Sequence, residues 1–344
     1  MTKPMPTSPP GLDGRLDHPA SAREASARSE AKPSEVKIRA AAQQPDRPKA
    51  DSRTWTVLEL LRWTASHFAE RGIESARLDA ECLLAFALGC ERLRLYVDYD
   101  KPVGAAERAR FRELVRQRAG DRIPVSLLIG RREFWSLPLR VTRDVLTPRP
   151  ETETLVAAVL ARFPDRDAEL RALDVGTGSG AIALALAHER PQARITATDL
   201  SAAALAVARE NAEALGLAGR VRFLEGALLA PVAGERFDLL VSNPPYVARR
   251  DAATLAPELR HEPALALFGG DDGTEVLRAL AAGAPSVLAP GGVLGLEIDP
   301  PQARAVAGWL ADAGFADVAT LRDGAQRPRV VVGVYAPAGR APAG

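Results

Sequence analysis

The stretch Leu173–Ala187, "LDVGTGSGAIALALA", decides the fold: an apolar strand, a turn with glycine at every second position, then an apolar helix. Gly176, Gly178 and Gly180 let the backbone turn sharply and leave room for a ligand against the main chain. Thr177 and Ser179 alternate with them, so Gly176 to Gly180 form a candidate cofactor loop. A glycine turn also serves simply to join strand to helix, and the loop alone leaves both readings open. Its G-x-G-x-G spacing departs from the dinucleotide G-x-G-x-x-G and counts against NAD. Asp199 closes the next strand, "RITATDL", about twenty residues on, where a carboxylate can accept both hydroxyls of a ribose. The same aspartate suits the N-cap of a helix starting near Ser201. Loop and carboxylate together favour a nucleoside-bearing cofactor.

Outward from this unit, strands and helices alternate: "RALDVG", "AIALALAHER", "RITATDL", "AAALAVARENAEALG", "VRFLEG", "FDLLVSN". Such alternation predicts a parallel, doubly wound α/β sheet. "GGVLGLEID", a helix through Trp309, "VATLRD" and "RVVVGVYA" add further strands. Upstream, "TWTVLELLRWTASHFAERG", "SARLDAECLLAFALGC" and "GAAERARFRELVRQRAGD" carry helical patterning, the first behind a threonine cap and stopping at Gly72. They predict a small helical bundle over 51–121. "PVSLLIGRREFWSLPLRVTRDVLTPRPETE" turns to alternating and β-branched residues, with Gly130 and Pro138 as breakers, and predicts a β-hairpin linker over 122–150. Glu151 and Glu153 suit the positive end of the following helix, "TLVAAVLARF".

Residues 1–50 are rich in Pro, Ala, Ser and mixed charge, with hardly a large apolar side chain, and read as a disordered tail. A second short tail is expected over 337–344. The 344 residues suffice for two domains, and the formal net charge of +1 gives no argument for a polyanionic partner. Cys82 and Cys90, eight apart, suit neither a metal knuckle nor a disulfide framework and read as buried free thiols. The four histidines are scattered, so no metal site is expected. No apolar run reaches spanning length and the N-terminus lacks an apolar signal core, which predicts a cytoplasmic protein without membrane contact.

"VSNPPYV", Val241–Val247, ends an apolar strand on an amide, two prolines and an aromatic. Adjacent prolines remove two backbone donors and fix two φ angles, and they push the preceding residue away from helix. The turn is stiff. It serves either as a rigid strand end or as a device holding Asn243, its neighbouring carbonyls and the Tyr246 ring in fixed relation.

"DVGTGSG", "TDL", "FDLLVSNPPYV", "HEPALALFGGDDG" and "LAPGGVLGLEI", in this order, resemble the S-adenosylmethionine-dependent protein-glutamine N5 methyltransferases that act on peptide chain release factors. The resemblance runs from Trp55 to about Val334, and "FW-LPL-VT-DVL-PRPETE" is narrower than the shared fold. It implies a seven-stranded, Rossmann-like class I methyltransferase domain over 151–336. The implied substrate is the glutamine of a Gly-Gly-Gln loop in class I release factors. A sister family acting on a large-subunit ribosomal protein shares NPPY and "HEP-LAL" but typically lacks the PRPETE form of the linker, so Arg149 to Glu153 tip the choice.

The resemblance also assigns roles. S-adenosylmethionine would lie on Gly176, Thr177, Gly178, Ser179, Gly180 and Asp199, with Leu228 and Asn243 beside it. Asn243, Pro244, Pro245 and Tyr246 would bind the substrate and form the catalytic turn. The Asn243 side-chain oxygen and the Pro244 carbonyl would accept the two N–H bonds of the substrate amide, and Tyr246 would pack on its plane. One departure concerns the adenine: Ala227 and Leu228 stand where relatives often carry an acid and an aromatic, leaving Glu225 or a backbone carbonyl as replacement acceptor. A nucleic-acid amino methyltransferase also uses an Asn-Pro-Pro-aromatic turn. Near-neutral charge and the acidic Asp271–Asp272 oppose that reading. A non-catalytic module with a merely structural glycine loop is the third alternative.

Overall fold

The computed structural model describes residues 54–337. The tails expected over 1–50 and 337–344 lie outside the described residues, Pro337 apart. Among the described residues five helices come first: α1 (Val57–Ala69), α2 (Ala76–Leu88), α3 (Arg92–Val97), α4 (Ala105–Gly120) and α5 (Val125–Ile129). Thr56 and Glu59 cap α1 reciprocally, each side chain bonded to the other's backbone N–H. Gly89 ends α2 in the left-handed conformation, with φ 65°. Phe68, Leu83, Leu84, Leu95 and Phe111 meet in a core belonging to this bundle alone.

The linker corrects the sequence reading in two places. Val125–Ile129 is helical, not extended, between Pro124 and the left-handed Gly130. A short apolar run has no periodicity long enough to separate helix from strand. The hairpin is confined to β1 (Arg131–Phe134) and β2 (Leu137–Arg140). Trp135 and Ser136 turn it with φ of 53° and 58°, the two-residue geometry that usually draws Asn-Gly. Pro138 lies inside β2, opposite Glu133, and breaks nothing, because a two-stranded ribbon leaves an edge for its missing donor. Helix α3 was not anticipated.

The remaining elements are α6 (Glu153–Leu160), β3 (Arg171–Val175), α7 (Ala181–Glu189), β4 (Arg194–Asp199), α8 (Ala202–Ala214), β5 (Val221–Glu225), β6 (Phe237–Ser242), α9 (Ala264–Leu267), α10 (Glu275–Gly283), β7 (Leu288–Glu297), α11 (Ala303–Asp312), β8 (Phe315–Arg322) and β9 (Pro328–Tyr335). Seven strands form one sheet in the order β5-β4-β3-β6-β7-β9-β8. The first five are parallel, and β9 runs antiparallel between β7 and β8. Both faces are covered, so the strands read as continuous apolar runs. Ala172, Leu239, Val241 and Val293 face one core, and Leu173, Leu240, Leu294 and Leu296 face the other. Every residue of α7 from Ala181 to Ala187 is buried, which explains why that helix shows no polar stripe.

Bundle and sheet domain are tied by charge. Arg118, buried on α4, binds Asp79 at 2.7 Å within the bundle and Glu258, beyond the NPPY turn, at 2.8 Å. Arg122 joins Glu258 at 2.7 Å, and His261 Nε2 contacts the Asp121 carbonyl at 2.7 Å.

Candidate active site

The carboxyl ends of β3, β4 and β6 open onto a cavity of about 360 Å³, within the range of small-ligand pockets. Gly176 and Gly178 line it with φ of 73° and 55°, and a Cβ on either would point into open space. Thr177 and Ser179 line it as well. Gly180 does not. Its φ is 84°, and a Cβ there would crowd Leu184 and Ala208, so this glycine permits the close approach of α7 and α8. The pattern G-x-G-x-G gave no means of telling the packing glycine from the two that border the cavity.

Asp199 lies half-buried at the rim. One carboxylate oxygen accepts from Gly178 N at 2.8 Å and the other from Ser201 N at 2.9 Å. The helix cap is Ser201 itself, whose hydroxyl accepts from Ala204 N, so Asp199 braces the loop and does not cap α8. Leu228 also lines the cavity, with φ 49°, and its carbonyl accepts from Thr198 Oγ1. Glu225 is exposed at its strand end and is not among the lining residues.

A second, larger groove of about 1350 Å³ runs between the bundle and the sheet domain. The two spaces share Leu146, Pro148, Arg149, Asn243, Pro244 and Ala266 as walls. The NPPY turn therefore stands where they meet. Pro245 borders the smaller cavity and Tyr246 the larger groove. Asn243 Nδ2 donates to Thr152 Oγ1 at 3.1 Å, which leaves its side-chain oxygen without a hydrogen-bond partner among the described residues and able to accept from a ligand. Tyr246 Oη donates to Glu297 Oε1 at 3.3 Å, and burial beside that carboxylate raises the phenol's pKa.

The turn is held from behind. Val247 N donates to the Leu267 carbonyl at 2.9 Å and Gly269 N to the Val247 carbonyl at 3.0 Å. A Cβ on Gly269 would collide with the Pro245 carbonyl, and one on Gly273 with that of Tyr246. Gln302 Nε2 donates to the Tyr246 and Gly273 carbonyls, each at 3.0 Å. Across the groove, Arg149 binds the buried Glu262 at 2.6 Å, linking PRPETE to "HEPALALFGGDDG". Burial still lifts Glu262 above the ordinary carboxylate range.

Two acids missed by the sequence reading lie in apolar strands. Asp174 is fully buried beneath the glycine loop and accepts from Thr177 Oγ1 at 2.7 Å and Ala183 N at 3.1 Å. Burial pushes it up to about 7. Glu297 ends β7 behind Tyr246 and is also pushed up to about 7 by burial. A lone carboxylate inside a run such as "ALDV" or "GLEI" was the available signal, because a buried charge needs a reason. Cys82 and Cys90, expected to be buried, are free thiols at intermediate exposure.

A sheet of this order, with a glycine-loop cavity at the carboxyl ends of its parallel strands, defines a class I methyltransferase domain. Residues 59–130 match the family model described as the PrmC N-terminal domain, and residues 152–267 match the methyltransferase small domain. The release factor glutamine methyltransferase of Xylella fastidiosa (strain Temecula1) is 52% identical over 257 residues, covering 75% of this chain and 92% of that protein. The one from Geobacter sulfurreducens is 44% identical over 280 residues, covering 81% and 96%. A solved protein-(glutamine-N5) methyltransferase (release factor-specific) from Alicyclobacillus acidocaldarius is 30% identical, with a TM-score of 0.35, over 55% of this chain and 94% of that one. The chain belongs to the release factor glutamine methyltransferases.

Proposed function

We propose that the protein transfers a methyl group from S-adenosylmethionine to the side-chain amide nitrogen (N5) of the glutamine in the Gly-Gly-Gln loop of class I peptide chain release factors. The observation that carries this reading is Asn243 at the meeting of the two cavities, with its nitrogen tied to Thr152.

The smaller cavity fits the cofactor. Its two glycines leave the main chain bare on the cavity side, and its rim carries a carboxylate. Gly176 to Ser179 would hold the amino-acid end, Asp199 the ribose hydroxyls, and Leu228 one face of the adenine. Bound there, S-adenosylmethionine supplies an electrophilic methyl group on a sulfonium sulfur.

The protein's own residues supply position. An amide nitrogen is a weak nucleophile because its lone pair is delocalised into the carbonyl. Asn243 Oδ1 and the Pro244 carbonyl accept its two N–H bonds, aim it, and favour the positive charge that grows on it. Tyr246 packs on the flat amide and excludes water. The alkylated nitrogen sheds one proton afterwards, so no strong base is required. Misplacement of such a displacement costs ~100-fold in rate, which gives the double proline and its backing their purpose.

The groove suits a protein segment. Seven arginines and seven carboxylates line it, a balance unsuited to a nucleic-acid backbone. The helical bundle from α1 to α4 and the linker of 122–150 line one wall and would grip the release factor away from the reacting glutamine. Among the described residues no helix is long and apolar enough to cross a membrane; a substrate from the translation machinery would put the reaction in the cytoplasm. The test is methylation of a folded release factor compared with the same protein carrying Gln→Asn in its Gly-Gly-Gln loop. One fewer methylene withdraws the amide by ~1.5 Å and should abolish transfer.

A further inference from the structure

Behind the NPPY turn lies a polar chain that the mechanism above does not use. Thr152, the threonine of PRPETE, is buried, and its Oγ1 accepts from Asn243 Nδ2 at 3.1 Å. The same hydroxyl lies near the Glu297 carboxylate and favours its charged form. Glu297 is 1% exposed. Its Oε1 accepts from Tyr246 Oη, while its Oε2 is buried with no hydrogen-bond partner among the described residues.

We propose that Thr152 and Glu297 are positioning residues that hold the Asn243 amide with its oxygen toward the substrate groove. The claim rests on Asn243 being the group that receives the glutamine. A hydroxyl has one proton, and an ionised carboxylate can only accept. With Glu297 charged, the Thr152 proton is committed to it, so Thr152 presents a lone pair to its other neighbour. Only the NH2 end of Asn243 can satisfy that lone pair. The oxygen must then face the groove, the one orientation in which Asn243 accepts an N–H bond. Reversed, Asn243 would present two donors to a substrate NH2, and the two groups would repel.

The chain is also sensitive to protonation. A neutral Glu297 carries a proton it can donate to Thr152 Oγ1, which frees the threonine proton to point at Asn243 and allows the amide to turn over. The groups facing Glu297 are Tyr246 from the loop after β6, Arg329 from β9, and Glu151 and Thr152 from the turn before α6. Arg329, itself bound to Asp323, favours the charged form, and Glu151 and burial oppose it. Turnover at saturating substrates should therefore rise through about pH 7, the range to which burial pushes Glu297.

Three variants test this: Thr152→Val, Thr152→Ser and Glu297→Gln. Thr152→Val should lower kcat ~10–100-fold with little change in KM for the release factor or in calorimetric affinity for S-adenosylmethionine. Thr152→Ser keeps the hydroxyl and should restore most of the turnover. Glu297→Gln, close to isosteric, should remove the rise of kcat with pH. A readout independent of any substrate is the Asn243 side-chain amide resonance, assigned by its disappearance in Asn243→Ala. It should shift in Thr152→Val and on acidification of the wild type, and stay in place in Thr152→Ser. An unmoved resonance in a folded Thr152→Val would overturn the proposal, as would a Thr152→Ser as slow as the valine variant. A wild type that leaves release factors unmethylated would instead sink the functional reading, and the resonance would still decide this one.

Discussion

Gly269 lies directly against the Pro245 carbonyl, with no space between them for a methyl group. The segment "LFGGDDG" is the back wall of the NPPY turn, hydrogen-bonded to it through Val247 on both sides. Gly269→Ala must displace one backbone or the other. Overpacking of this kind costs about 1–3 kcal/mol. Melting temperature should fall, and turnover should fall further than cofactor affinity does. A variant as stable and active as the wild type would show that the turn is fixed by its prolines alone.

Asn243→Ala separates positioning from binding. It removes an acceptor needed most as charge develops on the nitrogen, so turnover should fall ~100-fold or more while calorimetric cofactor affinity is nearly kept. Parallel collapse of that affinity would make Asn243 a cofactor ligand.

Asp199→Ala should weaken S-adenosylmethionine binding by roughly 1.5–3 kcal/mol through loss of charge-assisted hydrogen bonds. The variant also frees Gly178 N and Ser201 N, so part of the loss comes from a loosened loop. Calorimetry on a folded variant checks this. Unchanged affinity would confine Asp199 to bracing.

Asp174 gives a pH dependence whose sign is opposite to that of a salt-bridged acid. Burial holds its folded pKa up to about 7, against ~3.9 in an unfolded chain. Between those values the folded protein binds a proton that the unfolded chain has lost, so stability is present at low pH and declines as pH rises through that window. Asp174→Asn removes the titrating group. Its stability relative to wild type should improve from about pH 5 to about pH 8 in urea titrations. A difference independent of pH would mean that Asp174 stays ionised in the fold.

Arg118→Ala should destabilise by about 3–5 kcal/mol, since it leaves the buried Asp79 without its ion partner and removes one of the two arginines bound to Glu258. Denaturant midpoints would record the loss, and a change within about 0.5 kcal/mol would show the link to be ornamental.

Much of this was legible in the sequence because the signals were local. Strand–glycine–helix at Leu173–Ala187, the α/β alternation and the NPPY turn each carry their meaning within a few residues. What stayed hidden depended on tertiary contact. Val125–Ile129 was too short for its period to show. Trp135-Ser136 turns a hairpin without the Asn-Gly that this geometry usually draws. Thr152, Glu297 and Gln302 matter only because the fold brings three distant segments to the back of one loop, and no spacing rule relates them. Gly180 looked like its two neighbours, and only the approach of α7 to α8 sets it apart.

The central claim concerns the substrate, and mass spectrometry addresses it directly. A folded class I release factor and a large-subunit ribosomal protein would be incubated side by side with the enzyme and S-adenosylmethionine, then digested and sequenced by fragmentation. The account predicts one methyl group on the release factor, on the Gly-Gly-Gln glutamine, and none on the ribosomal protein. A methyl group found only on the ribosomal protein would contradict it.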